Sequence, residues 1–275
     1  MAKILVFDSG VGGLSILQAI QSHADIDKAA HQWLFCSDND FFPYGTKPEA
    51  ELISRVRKVL RALSKQYHPD IIVIACNTAS TVALDAVRAE LSMPIIGVVP
   101  AIKPAALLSK TRSIGLLATP GTIKRSYTQQ LIDDFAGDCH IARLGSSELV
   151  EMAEDFLRTG RVDKQQLADI LAPLSDAIRN HQLDTVVLAC THFPLLINAL
   201  KEALPEVKYW VDSGEAIARR VLWCLSALPD NKILVEDDVQ NSCTAYFTRH
   251  DEKSVVLGNT LNRFGLKRIA HFNID

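Results

Sequence analysis

Long hydrophobic runs are missing from this sequence. Its apolar stretches fall well short of the roughly 20 residues that a membrane-spanning helix needs. The first of them, Ile4–Phe7, stops at Asp8 and is too short for the core of a signal peptide. The expected location is the cytoplasm, with no membrane partner. Charge of one sign is also scarce. The net charge is −3, and there is neither a block of like charge nor a basic stripe interleaved with aromatics, so nucleic acid is not an indicated partner. No linker rich in glycine, proline or serine divides the chain, and no segment is of low complexity. What is present in quantity is apolar residue, 48% of 275, enough for sizeable cores. At roughly 150 residues per domain, two domains are expected.

The six cysteines, Cys36, Cys76, Cys139, Cys190, Cys224 and Cys243, include no Cys-x-x-Cys pair. In a chain of this size without a signal peptide they read as reduced thiols. Cys36, Cys139, Cys224 and Cys243 are expected as small core residues. Cys76 and Cys190 differ, because the segments around them say the same thing. Asp70-Ile-Ile-Val-Ile-Ala-Cys76-Asn77-Thr78 is echoed by Asp184-Thr-Val-Val-Leu-Ala-Cys190-Thr191-His192. Val98 follows Cys76, and Asp212 follows Cys190, at the same interval of 22 residues. The stretch Lys3–Gly10 also resembles Ser113–Gly121 loosely.

Short β-branched runs at Lys3–Phe7, Gln32–Cys36, Asp70–Cys76, Ile95–Val99, Ser113–Ala118, Thr185–Cys190 and Val207–Val211 predict strands covered on both faces. Helical patterns at Ala50–Gln66, Thr81–Leu91, Gln165–His181 and Leu195–Leu204 alternate with them. Such alternation predicts α/β architecture with parallel sheets and right-handed crossovers. The internal repeat predicts two pseudo-symmetric α/β domains: residues 1–97 plus 211–275, and residues 98–210 inserted between them. Ligands of open parallel sheets sit beyond the carboxyl ends of strands. Both cysteines are expected there, facing each other across a cleft between the domains.

The candidate chemistry centres on these thiols. An ordinary thiol has a pKa of about 8.5, and a helix N-terminus favours its anion. Helices predicted from Thr81 and Pro194 place both cysteines near such ends. Asp8, at the end of the first strand, and His192 are ionisable neighbours able to relay a proton. Ser9-Gly10-Val11-Gly12-Gly13-Leu14-Ser15 fails the dinucleotide pattern at Ser15, yet its backbone N–H groups suit an anion such as a carboxylate. Asn77, Thr78, Thr119, Thr122 and Thr191 are hydrogen-bonding residues at strand ends, fit either for carboxylates or for capping. Cys76 with Cys190-x-His192 could offer three zinc ligands, but the spacing matches no zinc-finger pattern, so no metal is expected. No feature supplies a lysine with a phosphate cup for a pyridoxal cofactor.

Four blocks, Phe7–Ser15, Pro43-Tyr44-Gly45, Ala75–Ser80 and Ala189–Leu196, closely resemble the glutamate racemases of the aspartate/glutamate racemase family, and the likeness runs from Lys3 to about Gly265. His192 stands where the related aspartate enzymes commonly carry glutamate. The resemblance implies a cofactor-independent enzyme that interconverts L- and D-glutamate for peptidoglycan, with its site between two pseudo-symmetric α/β domains. It implies Cys76 and Cys190 as catalytic bases, and Asp8 and His192 as their helpers. It implies Asp8, Ser9, Tyr44, Gly45, Asn77, Thr78, Thr191 and His192 as substrate-binding residues. It also allows a homodimer. One block departs: Ser146-Ser147-Glu148-Leu149-Val150 stands where members often show Cys-Pro before Leu-Val, and Glu154 is the candidate counterpart of a family glutamate near the substrate. Some members carry an N-terminal extension linked to activation by a cell-wall precursor; this chain begins at its first strand, so such activation is not expected. The alternatives left open are racemisation of aspartate or a hydantoin, carboxylate binding without chemistry, and zinc-dependent hydrolysis.

Overall fold

In the computed structural model, residues 1–229 and 243–274 are described. The chain falls into two compact units. One comprises Met1–Val98 and the described residues from Gly214 onward; the other is the continuous segment Val99–Ser213. In chain order the strands of the opening segment are β1 (Ala2–Asp8), β2 (His31–Ser37), β3 (Ile71–Ile74) and β4 (Ile95–Gly97). The second unit holds β5 (Ser113–Ala118), β6 (His140–Gly145), β7 (Thr185–Ala189) and β8 (Tyr209–Val211). The chain then adds β9 (Thr244–Phe247) and β10 (Arg268–His271) to the first sheet.

Every strand pairing among the described residues is parallel. The first sheet runs β10-β9-β2-β1-β3-β4, and the second runs β6-β5-β7-β8. The inner order of the first, second–first–third–fourth, is therefore the whole order of the other. In each sheet the connections leave the first strand to one side and then continue on its other side. That reversal opens a crevice beyond the carboxyl ends of β1 and β3, and of β5 and β7, where open α/β sheets bind ligands.

The central strands β1, β3, β5 and β7 are apolar because helices cover both faces, and nearly all of their residues are buried. The helix Glu49–Tyr67 shows how. Leu52, Val56, Val59, Leu60 and Leu63 repeat at helical spacing and pack with Leu5, Ile72 and Ile74 in one core. Glu49 and Glu51 lie in its first turn, where the helix dipole favours negative charge, and it ends at His68 in the left-handed conformation. In the second unit Asp163 caps the helix Lys164–His181 by accepting from the N–H groups of Gln165 and Gln166.

Two expectations about local structure need correction. The helix predicted from Thr81 begins at Asn77, because Cys76 itself takes the extended conformation that precedes the first turn. The helix predicted from Leu195 begins at Ile197, and Phe193–Leu196 forms a single tighter 3₁₀ turn. Cys36 and Cys224 are buried as expected, but Cys139 and Cys243 are only half-buried. None of the six cysteines is in a disulfide.

Gly13 shows the close packing under the end of β1. A Cβ there would fall 2.8 Å from the Asp8 Cβ and 3.0 Å from the Ala75 Cβ. Gly13→Ala is expected to cost about 1–3 kcal/mol through overpacking, read as a lower denaturant midpoint. An unchanged midpoint would contradict this packing.

Candidate active site

In the first unit Cys76 follows β3 and its Ala75 N–H still bonds to the Phe7 carbonyl at 2.7 Å. The β1–β3 register pairs Phe7 with Ile74, so Ser9 lies opposite Cys76 two residues beyond the ladder. Their side chains meet: Ser9 Oγ is 3.6 Å from Cys76 Sγ. Cys76 sits at the N-cap of the helix Asn77–Arg88, with Asn77 and Thr78 buried in its first turn. Ser80 bridges the strand ends, donating to the Ile74 carbonyl and accepting from the Val98 N–H, both at 3.0 Å. Asp8 is fully buried, and its Oδ2 accepts from the Gly13 N–H at 2.8 Å. That N–H, one of those expected to face an anionic ligand, is engaged by the chain's own carboxylate.

Tyr44 and Gly45 belong to the short turn Tyr44–Thr46, which packs against the helix of Cys76. The Tyr44 hydroxyl donates to Asp38 Oδ2 at 2.6 Å. Burial, reinforced by the Asp38 charge, pushes the phenol well above its ordinary value, so it remains a neutral donor. Asp38 is itself fully buried and follows β2. It also accepts from Arg55 Nε and Nη2, at 2.9 and 2.7 Å, and from Thr248 Oγ1 at 2.7 Å. The Asp38 N–H donates to the Asp8 carbonyl at 2.8 Å, so the network fixes the Tyr44 turn to the end of β1. Asp38, Arg55 and Thr248 were not singled out from the sequence. Only the Ser-Asp step closing an apolar run hints at Asp38, and Arg55 reads as one more cation on an amphipathic helix.

The second unit repeats the plan with different side chains. The register pairs Ala118 with Ala189, which puts Thr119 beside Cys190 as Ser9 lies beside Cys76. Thr119 caps the helix Pro120–Lys124 by accepting from the Thr122 N–H, and its hydroxyl donates to Thr122 Oγ1 at 3.0 Å. Cys190, Thr191 and His192 are all buried. His192 Nδ1 lies 3.8 Å from Cys190 Sγ, and its Nε2 lies 2.8 Å from Glu154 Oε1. Glu154, from the helix Glu148–Thr159, is only 5% exposed. Its other oxygen accepts from Arg158 Nη2 at 2.5 Å. The helix dipole offered for Cys190 is weak here, because only a 3₁₀ turn follows it; the imidazole is the nearer source of positive charge.

Burial alone would discharge His192. Hydrogen bonds to Cys190 and Glu154, backed by their charges, outweigh that penalty and hold the ring well above its ordinary value of 6.5. A charged ring donates Nε2–H to the carboxylate and presents Nδ1–H to the sulfur. Among the described residues no helix is long and apolar enough to cross a membrane, and no group of three or more His, Cys, Asp or Glu could hold a metal ion.

A family described as Asp/Glu/Hydantoin racemase matches residues 4–221 of this chain. The chain is similar to the glutamate racemase of Actinobacillus pleuropneumoniae serotype 3, at 42% identity over 98% of each chain. It is also similar to that of Shewanella sp. strain MR-7, at 47% identity over 98% of this chain and 97% of that one. Its fold matches a crystal structure of Escherichia coli glutamate racemase with a TM-score of 0.89 and 43% identity, covering 99% of this chain and 98% of that chain. The E. coli protein was solved with L-glutamate and the activator UDP-MurNAc-Ala.

The raised His192 value fixes a sign. A proton bound more tightly in the folded than in the unfolded protein stabilises the fold fully below the unfolded value, near 6.5, and that contribution is lost as pH rises through the folded value. The stability advantage of the wild type over His192→Gln should shrink as pH rises through that range. A ring titration followed by NMR should have its midpoint well above 6.5; a midpoint at or below it would contradict the geometry.

Proposed function

Because the chain belongs to the Asp/Glu/Hydantoin racemase family, we propose that it interconverts L- and D-glutamate without a cofactor, using Cys76 and Cys190 as two bases at one α-carbon. The observation that supports this most is the doubled plan. Each sheet carries one buried cysteine to its switch point, beside a hydroxyl residue on the neighbouring strand end. Relatives at 42 and 47% identity named glutamate racemase point to glutamate as the substrate.

Inversion at a tetrahedral carbon requires removal of a proton from one face and delivery to the other. A single fixed base tends to return its proton to the face it came from. Two opposed groups avoid this: one enters as thiolate and leaves as thiol, the other does the reverse. When Cys190 holds the anion, the His192 imidazolium 3.8 Å away stabilises it, and Glu154 keeps the ring oriented. Asp8 serves the Cys76 side, at the same sheet edge.

Glutamate offers two carboxylates and an ammonium to be held while the carbanion forms. Ser9, Asn77, Thr78 and Thr191 supply short polar side chains at the strand ends. The Tyr44 hydroxyl is engaged with Asp38, so the contribution of Tyr44 and Gly45 falls to their backbone groups. Donors fixed before reaction stabilise developing charge without reorganising, and that is the main help available to so weak a carbon acid. The biological use of the product is D-glutamate for peptidoglycan, made in the cytoplasm.

Circular dichroism of D-glutamate with the purified protein and no added cofactor or metal should decay to zero ellipticity. Aspartate and hydantoins, as controls, should turn over far more slowly. Cys76→Ser and Cys190→Ser should each lower kcat/KM by at least about 10²-fold, the lower range for a proton-transferring group, while the folded far-UV spectrum persists. In heavy water the inverted product should carry deuterium at the α-carbon. Full activity of either variant, or product free of deuterium, would refute the two-base reading.

A further inference from the structure

Arg158 takes no part in the scheme above, yet it touches the residue that orients the His192 ring. It lies one helical turn beyond Glu154 on the helix Glu148–Thr159. Salt bridges at this spacing on an exposed helix face contribute little. This one differs in where the carboxylate sits. The Glu154 side chain is 7% exposed and the His192 side chain 3%, while Arg158 is 17% exposed. The two oxygens of the Glu154 carboxylate face different groups, Oε1 the His192 ring and Oε2 the guanidinium. The Arg158 fork is divided, its Nη1 reaching Asp155 Oδ1 at 3.3 Å.

We propose that Arg158 is a positioning residue: it pins the Glu154 carboxylate so that Glu154 holds the His192 ring with Nδ1 toward the Cys190 sulfur. This rests on the reading that Cys190 exchanges protons with substrate.

The physical case has three parts. The last torsion of a glutamate side chain is soft, so one hydrogen bond does not fix the plane of its carboxylate. A second partner on the other oxygen does. The partner is a cation that is itself held on its other side by Asp155. Charge balance follows the same line. A buried carboxylate facing two cations and an anionic sulfur makes a net-neutral group of four, and burial penalises any unbalanced charge. Removing the guanidinium takes away one of the contacts that hold the carboxylate plane, and the carboxylate can then turn away from the ring.

The test combines turnover with a spectroscopic signal. Arg158→Met should lower kcat/KM by about tenfold, less than the roughly 10²–10⁴ that a proton-transferring group contributes. Arg158→Lys should keep most of the activity. The double variant Arg158→Met/Glu154→Gln should be no slower than Glu154→Gln alone, because Arg158 acts through Glu154. Losses that simply add, or full activity of Arg158→Met, would overturn the proposal. With 15N-labelled histidine, the Nε2–H signal of His192 should be downfield and slow to exchange in the wild type and in Arg158→Lys. It should broaden or vanish in Arg158→Met. An Nε2–H signal unchanged in Arg158→Met would overturn the proposal as well. This signal needs no turnover, so a wild type that fails to racemise glutamate would defeat the functional reading while the spectrum still decides the role of Arg158.

Discussion

The parallel pairing of β1 with β3, and of β5 with β7, is the constraint on which everything else rests. A parallel ladder fixes which residues leave adjacent strands side by side, and here it delivers a hydroxyl residue and a cysteine together at each crevice. No long side chain has to reach across open space to make the Ser9–Cys76 contact. The positions are set by main-chain hydrogen bonds made deep in each core, the most rigid framework a protein offers. Reactive groups raised on such a base lose little to side-chain motion, and proton transfer between heavy atoms tolerates little error in position.

The two crevices share a plan but not an electrostatic solution. Around Cys190 a histidine, a glutamate and an arginine form a relay of alternating charge, all from the second unit. Around Cys76 the hydroxyl of Ser9 touches the sulfur, and the buried carboxylates Asp8 and Asp38 are tied to backbone, tyrosine and arginine. The common frame lies in the shared strand order of the two sheets.

Much of this was legible in the sequence because the central strands are buried on both faces. β1, β3, β5 and β7 announce themselves as apolar, Val/Ile/Leu-rich runs, and the cysteines follow directly on β3 and β7. β6 was invisible, because it is an edge strand whose residues are exposed or half-buried and carry no apolar run. Helix starts were misplaced at both cysteines, since Asn77 and Thr78 read as capping residues though they lie inside the first turn. The family likeness, not periodicity, pointed to Glu154. Its bond to His192 spans 38 residues and could not be inferred from local pattern, and the contacts of Asp38 with Thr248 span 210.

The points where the chain passes from one unit to the other have a consequence of their own. Val99 and Ser213 open and close the second unit, and the Ser213 hydroxyl donates to the Val99 carbonyl at 2.6 Å. On the other side of the junction, the helix Gly214–Ser226 packs against β4 and against the helix Leu14–Gln21, as the next element after β4 would in an uninterrupted sheet. The guest segment thus enters and exits through one stitch. A module whose two ends already meet can be accommodated by its host with little loss of chain freedom, which is the circumstance under which inserted domains are tolerated. A single strand-to-helix connection of the host is thus the only place its own chain has to be interrupted.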